Sequence, residues 1–315
     1  MCCDILYIAN KTKSFNHYQV NVQSAVLFLI FNRPDTTQQV FEKIREARPP
    51  RLYVAADGPR KNKVGEEEKC RQTRSIIDNI NWPCELKTLY RTDNLGCKVA
   101  VSEAIDWFFE HEEEGIILED DCLPDATFFP YCDELLLKYR NDNRIWHIAG
   151  FSIEQNKVET SYRFSRLVPI WGWATWRRAW KHYDREMTMF NPDDDEIYDC
   201  FGKMAVHVKE TFSNHLKHKI NTWDTQWAFT CVNNLATTIL PSYSLIQNIG
   251  FNADATHTKK PDNLNNSITS TPIKFPLSHP HVIDTTMHLD VSYLKSYYPN
   301  QYLYKLISIF KSLVK

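Results

Sequence analysis

Three consecutive acids, Glu119, Asp120 and Asp121, follow the apolar residues 116–118. Carboxylates at the end of a buried strand are costly unless something positive binds them. In an extended chain, Asp120 and Asp121 point to opposite sides, so one can hold a metal while the other contacts a sugar or a ribose. Carboxylate oxygens without cysteine sulfur favour Mg²⁺ or Mn²⁺. The triplet therefore predicts a divalent-cation site, with a solvated strand end that caps the next helix as the alternative.

Glycine spacing excludes the common phosphate-binding loops. The chain has 8 glycines, and the closest two, Gly58 and Gly65, are seven positions apart. A dinucleotide-binding fingerprint needs glycines two apart, and a P-loop needs them five apart. A cation bound at the acid triplet would instead neutralise a diphosphate.

Alternating strands and helices are predicted to position these residues. Apolar or alternating segments predict strands at residues 25–31, 51–56, 84–90, 115–118 and 145–149, and helical periodicity predicts helices at 35–47, 66–80, 99–109 and 126–139. This order favours a parallel sheet covered by helices. Ligands of such sheets bind outside the carboxyl ends of the strands. Arg33, Asp57 and the acid triplet each follow a predicted strand, so we expect them to converge on one crevice.

The second half is rich in aromatic residues. Trp173, Trp176 and Trp180 are spaced as one helical face if a helix begins near residue 175, and that spacing favours core packing over ligand binding. Trp173 and Trp223 are also expected beside the crevice, where they could stack on a sugar ring. His215 and His218 lie among lysines, which favours a solvated helix face over a metal site.

Six short motifs occur in the order found in GT-A nucleotide-sugar glycosyltransferases. They are Asn32-Arg33-Pro34, Ala56-Asp57-Gly58-Pro59, Asn94-Leu95-Gly96, Leu118-Glu119-Asp120-Asp121, Trp171-Gly172-Trp173 and Trp223-Asp224. Over about residues 24–260 the chain resembles bacterial, family-2-like nucleotide-diphospho-sugar transferases. It is more remotely similar to eukaryotic N-acetylglucosaminyltransferase I.

The resemblance implies a donor site built from the first half. By this similarity Arg33 would contact the phosphates and Asp57 the uracil. Glu119 would touch the donor sugar and Asp120 the ribose. Lys98 is the nearest counterpart of the histidine with which the eukaryotic enzyme contacts the base.

The resemblance also implies the metal ligand and the base. Asp121 would be the sole carboxylate on Mn²⁺ or Mg²⁺, and Asp224 would be the catalytic base of an inverting reaction. Asp224 as the cap of the following helix is the alternative. His257 has no eukaryotic counterpart; it is either a second metal ligand or a surface-loop histidine.

The predicted fold is an α/β GT-A (Rossmann-like) fold, with a mostly parallel sheet flanked by helices and an aromatic-rich acceptor-side half. Residues 1–23 form an N-terminal extension, 24–150 the nucleotide-sugar-binding half, 151–285 the acceptor-binding half, and 286–315 a tail. An amphipathic helix is predicted in that tail, with a basic face at Lys305, Lys311 and Lys315. Such a helix suits a membrane surface, and docking on the parent domain or a second chain is the alternative.

These observations predict a metal-dependent, inverting hexosyl- or N-acetylhexosaminyltransferase. Its donor would be a UDP-sugar, and its acceptor a hydroxyl of a glycan or lipid-linked glycan. Nucleotidyl transfer to sugar phosphates and non-catalytic glycan binding are the alternatives. The net charge of −2 argues against nucleic-acid binding. Nine irregularly spaced cysteines predict a reduced, cytoplasmic protein. If its tail helix binds a membrane, we expect that to be the inner face of the cytoplasmic membrane.

Overall fold

The computed structural model describes residues 22–153, 159–250 and 268–285. Its strands are Ala25–Ile30 (β1), Arg51–Ala56 (β2), Glu85–Tyr90 (β3), Glu114–Glu119 (β4), Cys122–Pro124 (β5), Ile145–Ala149 (β6), Tyr162–Ser165 (β7), Trp173–Trp176 (β8), Thr237–Pro241 (β9) and Ile246–Asn248 (β10). Its α-helices are Pro34–Ala47 (α1), Glu66–Ser75 (α2), Cys97–His111 (α3), Phe128–Tyr139 (α4), Arg177–Trp180 (α5), Asp195–Tyr198 (α6), Ala205–His218 (α7) and Asp224–Asn233 (α8). Short 3₁₀ turns follow α2 and α6, at Ile76–Asn79 and Asp199–Met204.

One eight-stranded, mostly parallel sheet forms the centre of the molecule, in the order β3-β2-β1-β4-β8-β6-β9-β7. Strands β1 to β4 pair in parallel, as do β6 and β9. Strands β8 and β7 run the other way. A separate antiparallel pair, β5 with β10, lies beside the sheet end. The predicted α/β fold class with a mostly parallel sheet flanked by helices is therefore confirmed.

Strand β1 shows why its sequence is apolar throughout. Val26 and Phe28 pack in one core cluster with residues of α1 and α4, whereas Leu27 and Leu29 pack in another with residues of α3. Both faces of the strand are thus covered, as expected of a central parallel strand. Pro34 ends the strand segment and begins α1, where its missing N–H costs no hydrogen bond.

The prediction that Trp173, Trp176 and Trp180 share one helical face is wrong. Trp173 and Trp176 lie in β8, and α5 begins only at Arg177. Their spacing fits a helix, but pairing of β8 with β4 and β6 fixes an extended conformation. The expected core role is nevertheless correct, since Trp173, Trp176 and Trp180 are all buried.

Several expectations lie outside the described residues: most of the N-terminal extension, His257, and the tail helix of residues 286–315. Within the described ranges, none of the helices is long and apolar enough to cross a membrane.

Candidate active site

The carboxyl ends of β1, β2 and β4 lie side by side, and a cavity of about 610 Å³ opens in front of them. The residues predicted for the donor, the metal and the base meet there: Arg33, Asp57, Glu119, Asp120, Asp121 and Asp224 line this one cavity. The rule that ligand-binding residues follow parallel strands thus places the donor-side residues together. Asp224 lies at the start of α8, which forms a different wall of the cavity.

Arg33 joins two acids of the triplet. Its Nη2 lies 2.5 Å from Asp120 Oδ1, and its Nη1 lies 2.8 Å from Asp121 Oδ2. The backbone N–H of Phe31 donates to the other oxygen of Asp120 at 3.1 Å. Burial alone would lower the pKa of Arg33, but the two carboxylates outweigh it and raise the pKa above its ordinary value. The positive charge of Arg33 therefore interacts with the carboxylates of both Asp120 and Asp121.

Negative charge still exceeds positive charge around the triplet. Burial raises the pKa of Glu119 well above its ordinary value, and the charges of Asp121 and Asp224 raise it further. Burial likewise raises the pKa of Asp120 to about 6, although Arg33 opposes the shift. Among the described residues, none forms a hydrogen bond or ion pair with the Glu119 side chain. A bound cation would relieve this repulsion.

A cation at the triplet would need a bound ligand to complete its coordination. Within the described ranges no group of three or more His, Cys, Asp or Glu side chains forms a complete metal cluster. Mg²⁺ is commonly held by one or two carboxylates together with substrate phosphates, so a full protein cage is not required. Asp121 is 17% exposed to the cavity. Asp121 can lie beside the cavity because residue 250 is glycine: a Cβ at that position would be 2.3 Å from Asp121 Oδ2.

Asp57 organises the loop that precedes α3. Its carboxylate accepts hydrogen bonds from the backbone N–H groups of Leu95 and Gly96 and from the Asn94 side-chain amide, at 2.9–3.1 Å. It also accepts one from its neighbour Gly58 at 2.9 Å. The motif at 94–96 is therefore explained by Asp57 itself. Contact with a uracil stays a prediction, and it requires exchange of one of these bonds.

Asp224 is the first residue of α8, and Trp223 occupies the N-cap position. Its Oδ1 accepts hydrogen bonds from the Thr222 hydroxyl and the Thr225 backbone N–H, both at 2.6 Å. Its Oδ2 has no hydrogen-bond partner among the described residues. Asp224 is therefore not the N-cap that the alternative predicted: one oxygen accepts from the first turn of the helix, while the other can accept a proton.

The prediction that Trp173 stacks on a sugar ring is wrong. Its ring is 1% exposed, with His147 stacked on it at 5.0 Å and Trp223 at 5.6 Å between ring centroids. Trp223 contributes to the cavity wall but is also only 1% exposed. Trp171, which belongs to the same motif but was given no role, lies half-buried in the wall instead. The positive φ of Gly172, 58°, breaks the strand alternation between Trp171 and Trp173.

Two further expectations need correction. Lys98 is not among the cavity-lining residues, and its ammonium group pairs with both oxygens of Glu186 at 2.8 Å. The structure therefore does not bring Lys98 together with the other donor residues. His215 is buried, at 5% exposure, rather than part of a solvated helix face.

Two arginines in the cavity wall were not predicted as site residues from the sequence. Arg60 pairs with Glu66, and Arg91 lies 3.3 Å from Glu103. Both follow strands, since Arg60 comes shortly after β2 and Arg91 directly after β3. The carboxyl-end rule that selected Arg33 and Asp57 would have found them too.

No protein-family model matches the chain, and no curated protein matches it. Three solved structures are distantly similar. UDP-glucose pyrophosphorylase without ligand shares 10% identity over 71% of this chain and 93% of its own, with a TM-score of 0.38. Mouse xyloside xylosyltransferase 1, also in its apo form, is 8% identical in sequence. The match covers 68% of this chain and 82% of that protein, with a TM-score of 0.36. HddC from Yersinia pseudotuberculosis shares 9% over 50% and 78%, with a TM-score of 0.31. Likeness at this level identifies no activity, and the chemistry of the cavity residues has to do so.

Proposed function

We propose that this protein is a metal-dependent, inverting glycosyltransferase that moves a sugar from a nucleotide-diphosphate donor, UDP being the expected nucleotide, to a glycan or glycolipid hydroxyl. The observation that supports the proposal is the composition of one cavity. The Arg33–acid-triplet cluster lies at the sheet end, and a carboxylate oxygen of Asp224 with no described partner lies on a different wall. A diphosphate needs the first group, and an attacking hydroxyl needs the second.

The sheet-end residues would bind the donor. Arg33 can move from the acids to the diphosphate, where its guanidinium stabilises the negative charge that accumulates on departure. Asp120 and Glu119 would accept hydrogen bonds from ribose and sugar hydroxyls. Asp121 would hold Mn²⁺ or Mg²⁺, which when bound supplies charge neutralisation at the diphosphate.

Asp224 would act on the acceptor. Its Oδ2 would take the proton of the attacking hydroxyl as that oxygen approaches the anomeric carbon. Its Oδ1 is fixed by Thr222 and Thr225, so the carboxylate is held in one orientation. A fixed base and a fixed donor keep the reacting atoms in line.

A substrate screen tests this proposal. The purified protein is incubated with UDP-, GDP- and dTDP-sugars and Mn²⁺, and the released nucleotide is measured. Release of UDP supports a transferase. Formation of UTP after addition of pyrophosphate would show nucleotidyl transfer instead, and binding without either product would show a glycan-binding module.

The Asp224→Asn variant is the matched control, because asparagine keeps the oxygen that orders the helix start but is a poor proton acceptor. We expect UDP binding, measured by calorimetry, to be unchanged and transfer to fall by roughly 10²–10⁴-fold. Near-wild-type transfer by this variant would contradict the assignment of the base.

A further inference from the structure

A second cavity, of about 240 Å³, meets the first one at Asp224. Asp224, Thr225, Ile170 and Trp171 line both. Three segments form the walls of the second cavity: the connection between β7 and β8 (residues 166–171), α7 and α8. The two cavities therefore adjoin, and the proposed base lies in the wall that they share.

The lining of the second cavity is mostly apolar. Aromatic rings from Phe151, Trp171, Phe201 and Phe212 contribute to its lining, together with aliphatic side chains. Among its described lining residues, Asp224 is the only acid and Arg166 the only base. Such a lining disfavours a diphosphate or a ribose, which need charges and hydrogen-bond partners.

Most other polar groups of the lining make hydrogen bonds within the protein, but the buried Nε of Arg166 has no hydrogen-bond partner among the described residues. A guanidinium nitrogen of Arg166 donates to the backbone carbonyl of Leu235, and the Thr211 hydroxyl donates to the His207 carbonyl at 2.8 Å. The Thr211 hydroxyl and the bonded nitrogen of Arg166 are therefore already satisfied. Asp224 Oδ2 also has no described partner, so this oxygen and Arg166 Nε are the polar side-chain atoms left for an incoming molecule, and only Asp224 lines both cavities.

We infer that this cavity, the apolar acceptor pocket, receives an apolar group of the acceptor while the acceptor hydroxyl lies against Asp224. This inference rests on the proposed function and narrows its substrate class. The acceptor is an alcohol that carries a ring or a branched alkyl group within a few bonds of its hydroxyl, such as an aryl-bearing glycoside. A cavity of about 150 Å³ with a similar lining holds benzene, so this larger one has room for a substituted ring.

The pocket is reachable rather than a sealed packing defect. Trp171, Thr211 and Ala228 are only half-buried, and the pocket adjoins the first cavity at Asp224. A group that enters beside Asp224 would displace water from aromatic and aliphatic walls, which favours binding. The donor would lie on the other side of the same carboxylate.

Binding of 4-fluorobenzyl alcohol, followed by fluorine NMR, tests the inference without a donor. We expect saturable binding to the wild type, displaced by benzyl alcohol but not by glycerol. Ala228→Met places a longer side chain in the pocket wall and should weaken binding about tenfold or more. Val206→Met is the matched control, since Val206 is 46% exposed on α7 and should bind the probe like wild type.

Equal binding to the wild type and to both variants, or no binding at all, would overturn the inference. Thermal unfolding shows whether Ala228→Met is folded, and Thr211→Met fills the pocket from α7 if it is not. Turnover of a UDP-sugar without probe binding would reject the pocket alone. Probe binding without any nucleotide-sugar turnover would reject the proposed transferase but leave an apolar ligand site.

Discussion

Acidification from pH 7 to pH 5 should weaken the fold through one buried histidine, His147. The Trp227 indole N–H donates to His147 Nδ1 at 3.1 Å, and His147 Nε2 lies 2.8 Å from the carbonyl oxygen of Pro169. An indole only donates and a carbonyl only accepts, so the neutral ring carries its proton on Nε2. The ring thereby joins α8 to the connection between β7 and β8.

The size of the effect follows from the pKa of His147. Burial lowers it from 6.5 to about 4, and the Pro169 hydrogen bond only partly opposes the shift. The unfolded chain therefore binds the proton first, and the stabilisation present above pH 6.5 is lost as the pH falls towards 4. Integration of the linkage relation gives about 2 kcal/mol lost between pH 7 and pH 5.

Urea unfolding of the wild type and His147→Gln at both pH values isolates this contribution. Glutamine can accept from Trp227 and donate to Pro169, but it does not titrate. We expect the variant to be less stable at pH 7 and the difference in unfolding free energy to shrink by about 2 kcal/mol at pH 5. Contributions of the other titrating groups cancel in that difference.

His182→Gln is the matched control. His182 also stacks on a tryptophan, Trp146, but it is exposed, so its variant should show a much smaller dependence on pH. A stability difference for His147→Gln that is the same at pH 7 and pH 5 would refute the neutral, buried histidine.

Four other predictions concern the proposed donor site and the tail. Asp121→Asn should reduce the enhancement of UDP affinity by Mn²⁺ about tenfold or more in calorimetry, and equal enhancement in both proteins would remove Asp121 from the metal site. Gly250→Ala should reduce it in the same direction, because the added Cβ would lie 2.3 Å from Asp121 Oδ2. Asp57→Asn should cost about 1–3 kcal/mol in urea unfolding, since an amide cannot accept all the N–H groups of the 94–96 loop; unchanged stability would argue against that organising role. Deletion of residues 300–315 should abolish sedimentation with anionic vesicles, and partitioning equal to that of the full chain would reject a membrane role for the tail.

The first half of the fold could be predicted because its patterns are local. Residues 145–149 were expected as a strand and form β6 with the same bounds. The helix expected at 35–47 is α1, which begins one residue earlier, at Pro34. Apolar strands followed by amphipathic helices leave little freedom in such an alternating segment. The same regularity placed Arg33, Asp57 and the acid triplet around one cavity.

The second half depends on contacts that are distant in sequence. Strand β8 has four residues, and only its pairing with β4 and β6 distinguishes it from a helix. Asp57 binds a loop about 38 residues away, which no local pattern reveals. The burial of His215 likewise depends on tertiary packing that the lysines around it conceal.

The antiparallel direction of β8 means that the wall beyond Asp224 and the parallel strand ends are built from different segments of the chain. Because β8 runs opposite to β4 and β6, the connection that precedes it reaches the edge where its neighbours end. Residues 166–171 therefore shape the wall beyond Asp224 without supplying any of the strand ends that carry Arg33 and the acid triplet. Engineering of residues 166–169, which line the second cavity alone, offers a way to change selection among the proposed acceptor alcohols while the first cavity keeps its sequence.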